Sequence, residues 1–290
     1  MSKAIIIDAH HHLWDLSVRA QPFLDSHPAL APLRRTFAVT DLAPLAAEAG
    51  VTATVAVQTV ADEAETQELL TLAAARSPVA AVVGWTDLTA PDVADALGML
   101  RNGHGGEHLA GIRHPLLTEP DPGWLGGTDV RRGLMALGEA GLTFDLVLPP
   151  SMLSAAVAAA AEAPGLIFVL DHLGNVEVAP TPDELWAAAF SAFARLPNTV
   201  CKLSGILSEA TDQDVSTLRP YFDLALDCFG PDRLMFGSDW PVSTLGASYG
   251  EVVGAALALT SELTTPERDA ILAGTARRVY RIAGAGPAEA

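Results

Sequence analysis

Eight short apolar runs recur along the chain, and each is followed by a stretch with helical spacing. The runs lie at 5–7, 51–59, 79–84, 109–114, 142–148, 166–170, 199–203 and 233–236. Runs this short and continuous read as strands buried on both faces, as in a parallel sheet. Parallel neighbours need a long crossover, and a helix is the usual one. Thr40-Asp41 opens a helical pattern that ends at Gly50, and 62–77 carries Leu69, Leu70, Leu72 and Ala73 on one side. Further helical patterns cover 129–140 and 151–163, start at Thr181-Pro182-Asp183-Glu184, cover 215–229, and close the chain over 266–282. Eight strand–helix repeats predict an α/β chain folded as a (β/α)8 barrel. No composition break marks a linker, so 1–290 is expected to be one domain. The competing architecture, an open doubly wound sheet, usually carries a Gly-rich phosphate turn after its first strand. Here that position holds histidines.

Charge and cysteine content narrow the function classes. Lys+Arg is 17 against Asp+Glu at 35, a net charge of −18. Nucleic acid and anionic membrane surfaces need a basic stripe, so neither is an expected partner. A small anionic substrate remains compatible, because a site can be locally basic on an acidic protein. Only Cys201 and Cys228 are present, too few for a disulfide framework or a cysteine metal cluster. The apolar run after Met1-Ser2-Lys3 is too short for a secretory leader, and none is long enough to span a bilayer. A cytoplasmic location is expected. Oligomeric state is not readable.

The first run leads into Asp8-Ala9-His10-His11-His12-Leu13-Trp14-Asp15. Strand alternation puts His10 and His12 on one face and His11 on the other. In a (β/α)8 barrel the active site lies at the strands' C-terminal ends. The polar residues there are His10 and His12, Gln58, Trp85 with Asp87, Arg113 with His114, His172, Lys202 with Ser204, and Asp239. They are scattered in sequence yet would ring one cavity. A structural role competes for some of them. Asp8 and Asp171 could cap loops, and Asp145 could pair with Arg113 inside the barrel.

Three imidazoles and a carboxylate suit one divalent cation, zinc above all, with a water beside it. A carboxylate on the last strand can take a proton from that water and return it to the leaving group. Arg113 and Lys202 can hold a carboxylate or a hydroxyl-rich chain. Hydrolysis at a carbonyl is the implied chemistry, and the same groups could polarise the carbonyl without a metal.

Taken in order, several segments resemble one family. They are Ile7-Asp8-Ala9-His10-His11-His12-Leu13-Trp14-Asp15, Val57-Gln58, Val83-Gly84-Trp85-Thr86-Asp87-Leu88 and Gly111-Ile112-Arg113-His114-Pro115. Phe144-Asp145-Leu146, Asp171-His172-Leu173-Gly174, Cys201-Lys202-Leu203-Ser204-Gly205 and Phe236-Gly237-Ser238-Asp239-Trp240-Pro241 follow, then Gly274-Thr275-Ala276-Arg277-Arg278-Val279-Tyr280. The chain resembles the amidohydrolase superfamily, and within it the lactonase group of sugar lactonases, sulfomuconolactonase and pyrone-dicarboxylate lactonase. The resemblance implies a distorted (β/α)8 barrel and lactone hydrolysis. It makes His10, His12 and His172 metal ligands or carbonyl polarisers, and Asp239 the general base. Binuclear members of the superfamily bridge two metals with a carboxylated lysine on a middle strand. Here the fifth strand offers Asp145 and no Lys, which argues against a second metal. Some lactonases of the group act without any metal.

The expectation is therefore a lactonase in which Asp239 activates water and His10, His12, His172 and Asp239 hold one divalent metal, zinc by preference. Gln58, Trp85, Arg113, His114 and Lys202 are expected to hold a small lactone, anionic or polyhydroxylated. Trp14, Trp85, Trp124 and Trp240 are candidates for the pocket wall, with half of them expected in the core. The rivals are a metal-dependent decarboxylase or lactone isomerase on the same barrel, and a catalytically silent ligand-binding barrel. Substrate choice is expected to lie in the loops 13–39 and 118–127.

Overall fold

Each apolar run forms a strand in the computed structural model, which describes residues 5–75, 77–206 and 215–283. The strands are β1 (Ile6–His11), β2 (Val51–Val57), β3 (Val79–Gly84), β4 (Leu109–Pro115), β5 (Thr143–Val147), β6 (Ile167–Leu170), β7 (Thr199–Leu203) and β8 (Leu234–Phe236). They run parallel in the order β1 to β8. Helices α1 (Val39–Ala49), α2 (Glu63–Ala74), α3 (Val93–Asn102), α4 (Thr128–Ala140) and α5 (Leu153–Glu162) fill the first intervals. Glu184–Ala194, Val215–Phe229 and Tyr249–Leu259 fill the later ones. The result is a nearly closed (β/α)8 barrel. Among the described residues the β8–β1 seam carries no ladder between the two strands, only one parallel bridge between His11 and Trp240.

Side chains sort into two layers. Leu, Phe and Val from the outer strand faces pack against the helices. Ile7, Val55, Val57, Ala81, Val83, Val169, Val200 and Met235 fill the barrel interior together with Ala273, Ala276, Tyr280 and Ile282. The C-terminal segment thus plugs the interior. It is not the single helix expected over 266–282. Thr265–Asp269 and Thr275–Val279 are joined by a π turn, Ala270–Gly274. That wider turn is the local irregularity that accompanies the plug.

Helix starts differ from expectation where local capping decides them. α1 begins at Val39, and Asp41 accepts from the Ala38 N–H at 2.8 Å instead of capping from in front. The helix expected from Thr181 begins at Glu184, because Asp183 accepts from the Trp186 N–H at 2.8 Å. Met1 to Lys3, on which the leader expectation rests, lie outside the described residues, as does Arg76 in the expected 62–77 helix. No described helix is long and apolar enough to cross a membrane.

The loop 13–39 is built rather than loose. It holds two 3-10 turns, Pro22–Asp25 and Pro28–Leu33. The Trp14 indole donates to the Arg35 carbonyl at 2.7 Å, and Arg19 ties the loop to Asp62 and Glu68 at 2.7 and 2.8 Å. One wall of the barrel mouth is thereby anchored to α2.

Candidate active site

β1 departs from simple alternation. Its pairing with β2 shifts register between Asp8 and His11, the mark of a bulge. Ile7 and Ala9 face the barrel interior, while Asp8 turns outward to Tyr249. After the shift His10 and His12 point inward together, with their Nε2 atoms 3.2 Å apart. His11 faces away, its Nε2 2.9 Å from Thr54 Oγ1.

His172 and Asp239 meet these imidazoles from the ends of β6 and β8. Asp239 Oδ1 lies 3.7 Å from Nε2 of His10, 3.7 Å from Nε2 of His12 and 3.9 Å from Nε2 of His172. Within this group, candidate ligand atoms of His10, His172 and Asp239 all lie within 4.8 Å of one another. His12 is close to His10 and Asp239 but stands at the edge of that set. Both strand ends are held in an unusual backbone. His172, Leu173 and Asn175 have φ of 54°, 52° and 52°, and Asp239 has φ of 57°. Left-handed backbone at non-glycine residues costs energy and concentrates where geometry matters for function.

Hydrogen bonds on the far nitrogens show that these residues can accept a cation. His12 Nδ1 lies 2.8 Å from the Val57 carbonyl, so Nδ1 carries the proton and Nε2 keeps its lone pair for the centre. His172 Nδ1 lies 2.8 Å from Ser204 Oγ, and His10 Nδ1 lies 3.4 Å from Asp171 Oδ1. His12 and His172 can donate outward and turn a lone pair inward, the usual support of a metal-bound histidine, whereas His10 Nδ1 also faces the Lys202 ammonium at 3.1 Å. Burial also lowers the pKa of all three, that of His172 to about 4, so they stand neutral near pH 7. The donor set fits one zinc-like ion.

Below the imidazoles lies a buried ion network. Lys202 Nζ is 2.7 Å from Asp145 Oδ2, 3.0 Å from Asp171 Oδ1 and 3.1 Å from His10 Nδ1. Arg113 Nη1 is 3.0 Å from Asp171 Oδ2 and 3.4 Å from His10 Nε2. Tyr280, from the C-terminal plug, donates to Asp145 Oδ2 at 2.6 Å. The expected Asp145–Arg113 pair is therefore replaced. The two sit opposite in the β4–β5 register, but Asp145 takes Lys202 from across the barrel while Arg113 reaches Asp171. Burial alone would raise Asp171, but Lys202, His10 and Arg113 hold it well below the usual carboxylate range. Asp145 is raised by burial, which its bonds to Lys202 and Tyr280 only partly offset.

The residues expected at the substrate separate into two groups. Lys202 is fully buried and committed to two carboxylates, so it is floor, not substrate contact. Gln58 is also fully buried, and its amide group donates to the Arg113 carbonyl at 3.2 Å while its Oε1 accepts from Arg113 at 3.2 Å. Arg113 keeps a small exposed edge beside His10. Trp85 and His114 line the mouth. The Trp85 indole donates to His114 Nδ1 at 3.3 Å, and His114 Nε2 lies 2.8 Å from Glu119 Oε2. Trp124 stacks on His114 with centroids 3.9 Å apart and planes 9° from parallel. Trp14 and Trp240 instead pack on Phe37 as core. Sequence reasoning missed Glu119 and Ser238. A loop-capping role is one reading of Asp8, and in the structure Asp8 bonds Ser238 directly next to Asp239.

His11 gives a stability prediction that needs no substrate. Burial lowers its pKa to about 3, against 6.5 for an exposed imidazole. Between those values the unfolded chain binds one more proton than the folded chain. Its contribution is complete above 6.5 and is lost as pH falls toward 3, at about 1.4 kcal/mol per pH unit for one such group. His172 adds to the same slope. Urea midpoints are expected to fall between pH 7.5 and 5, and less steeply in His11→Gln. Identical slopes in the two proteins would remove His11 from the account.

The arrangement has relatives. The amidohydrolase family's sequence model matches residues 7–282. The chain belongs to the amidohydrolase family. It is 36% identical over 292 residues to an L-fucono-1,5-lactonase of Burkholderia multivorans, covering 96% of this chain and 97% of that one. It is also 36% identical over 283 residues to an L-fucono-1,5-lactonase of Burkholderia ambifaria, covering 95% of each. A crystal structure of a Burkholderia multivorans amidohydrolase with bound zinc superposes with a TM-score of 0.89 at 36% identity, over 96% of this chain and all of that one.

Proposed function

We propose that this amidohydrolase opens a sugar-derived 1,5-lactone by attack of water that Asp239 deprotonates. The chain is a lactone-opening hydrolase, in keeping with its full-length similarity to two L-fucono-1,5-lactonases. The observation that carries the mechanism is one carboxylate, Asp239 Oδ1, within 3.9 Å of three imidazole nitrogens at the barrel mouth. Asp239 takes a proton from water as its oxygen bonds to the lactone carbonyl carbon. Negative charge moves to the carbonyl oxygen, and Arg113 beside His10 is the fixed cation placed to receive it. The ring C–O bond then breaks. Asp239 returns its proton to the leaving alkoxide, and a hydroxy acid is released.

His10, His12, His172 and Asp239 are the residues that would hold a divalent ion, zinc by preference. Such an ion would polarise the carbonyl and lower the pKa of a water at the site. Lys202 serves as the floor that keeps His10 and Asp171 in place. Trp85, His114 and Trp124 form an aromatic wall suited to the apolar face of a sugar ring. A cytoplasmic location fits the two unpaired cysteines.

A lactone panel led by L-fucono-1,5-lactone, followed by acid release, tests the reaction. Saturable acid release at a rate well above spontaneous hydrolysis is expected. Evolution of CO2 from aromatic acids without lactone turnover would point to a decarboxylase instead. The metal reading has its own test. Zinc added to chelator-treated protein is expected to raise Tm, by an increment growing with the logarithm of zinc concentration above Kd. His12→Ala is expected to shrink that increment. If zinc leaves Tm unchanged at every concentration, the four residues do not form a zinc site.

A further inference from the structure

We propose that Asp8 is the positioning residue for the base, holding Asp239 in register with the imidazoles by way of Ser238. The inference rests on the reading of Asp239 as the base. It starts from the seam of the barrel. β8 is three residues long and has no ladder with β1 among the described residues. Beyond its ladder with β7, the segment that carries Asp239 meets β1 through one parallel bridge, with the His12 N–H donating to the Trp240 carbonyl at 2.7 Å.

A single buried carboxylate reinforces that short bridge from the side chain. Asp8 Oδ1 accepts from the Ser238 N–H at 2.8 Å and from the His10 N–H at 3.1 Å. Asp8 Oδ2 accepts from Ser238 Oγ at 2.6 Å and from the Tyr249 hydroxyl at 3.0 Å. One group thus grips the backbone of both sides of the seam, at a candidate ligand on β1 and one residue before the base after β8. The Asp239 N–H then donates to the His10 carbonyl at 2.8 Å, and the Trp240 N–H to Ser238 Oγ at 3.1 Å. Gly237 permits the approach, since a Cβ there would lie 2.7 Å from the His10 Cβ.

Asp239 needs such a grip. Its φ of 57° lies in the left-handed region, which aspartate enters more readily than most residues but still at a cost that fixed surroundings offset. Ser238 is the residue whose two bonds to Asp8 precede that turn. Asp8 itself is fully buried and turned away from the cavity, so it touches no reacting atom. Its bond to Tyr249 leads outward to the helix Tyr249–Leu259 and does not reach Asp239. That division separates positioning from plain stabilisation.

The test compares Asp8→Asn, Ser238→Ala and Tyr249→Phe on the lactone that turns over best in the panel. Asp8→Asn and Ser238→Ala are expected to lower kcat by about tenfold to hundredfold, the scale of small misplacements of a reacting group, with KM within about threefold. The double variant is expected to be no worse than Asp8→Asn, because both changes break one path. Tyr249→Phe is expected to lower the urea midpoint while keeping kcat within about threefold. If kcat loss simply follows stability loss across all three, the positioning role is overturned. It is overturned as well if Asp8→Asn keeps full kcat. Should Asp8→Asn fail to fold, Ser238→Ala against Tyr249→Phe carries the same comparison. Asp239→Asn separates the two levels. Full activity there removes the base itself, whereas loss there with an unaffected Asp8→Asn removes only the inference.

Discussion

Asp239→Asn is expected to lower kcat for lactone opening by about a thousandfold while leaving the fold intact, within the range general-base catalysis contributes. The amide has nearly the shape of the carboxylate but cannot take a proton from water. The backbone bond from Asp239 N–H to the His10 carbonyl does not involve the side chain and survives. Tm and the urea midpoint should therefore stay close to those of the parent protein. KM should change little, because the aromatic wall of Trp85, His114 and Trp124 is untouched. Full-progress assays of acid release, with substoichiometric parent contamination excluded by mass spectrometry, measure the effect. Residual activity within tenfold of the parent would move the base to another group.

Lys202→Met is expected to cost about 3–5 kcal/mol of stability, the range found when one partner is removed from a buried ion pair. Methionine roughly fills the volume but leaves Asp145 and Asp171 facing each other in a dry interior with their shared cation gone. Asp171 keeps Arg113, whereas among the described residues Asp145 keeps the neutral donors Tyr280 and Thr143. Asp145 is already raised by burial, so it is the group expected to take up a proton. Urea unfolding should show a large fall in midpoint. Adding Asp145→Asn to Lys202→Met should recover part of the loss, since it removes the charge left without its cation. No recovery would mean that the cost comes from packing.

How much of this was legible in advance can be judged residue by residue. The inward pair His10 and His12 with outward His11 follows from strand alternation, and the structure has that arrangement. Alternation alone would also have placed Asp8 with His10, and the β1 bulge puts it on the other side. A bulge has no marker in a run of Asp, Ala and His. Lys202 reads as a strand-end cation and therefore as a substrate contact. Its commitment to Asp145 and Asp171 depends on three strands, β5, β6 and β7, curling around one axis. Glu119, which meets His114 in the mouth, lies in a loop whose path no local pattern predicts.

The amino-acid sequence by itself determined the barrel and the identity of the polar groups at its mouth. Both follow from short-range causes, namely the period of apolar residues and the strand-end placement that a (β/α)8 barrel imposes. Only the tertiary structure decided which charge neutralises which, and how the β8–β1 seam is held. Those outcomes depend on distances of about 3 Å between residues as many as 241 positions apart, such as Asp8 and Tyr249. Such distances come from barrel curvature, a register shift and the depth of the C-terminal plug, and none of these is a property of any single segment.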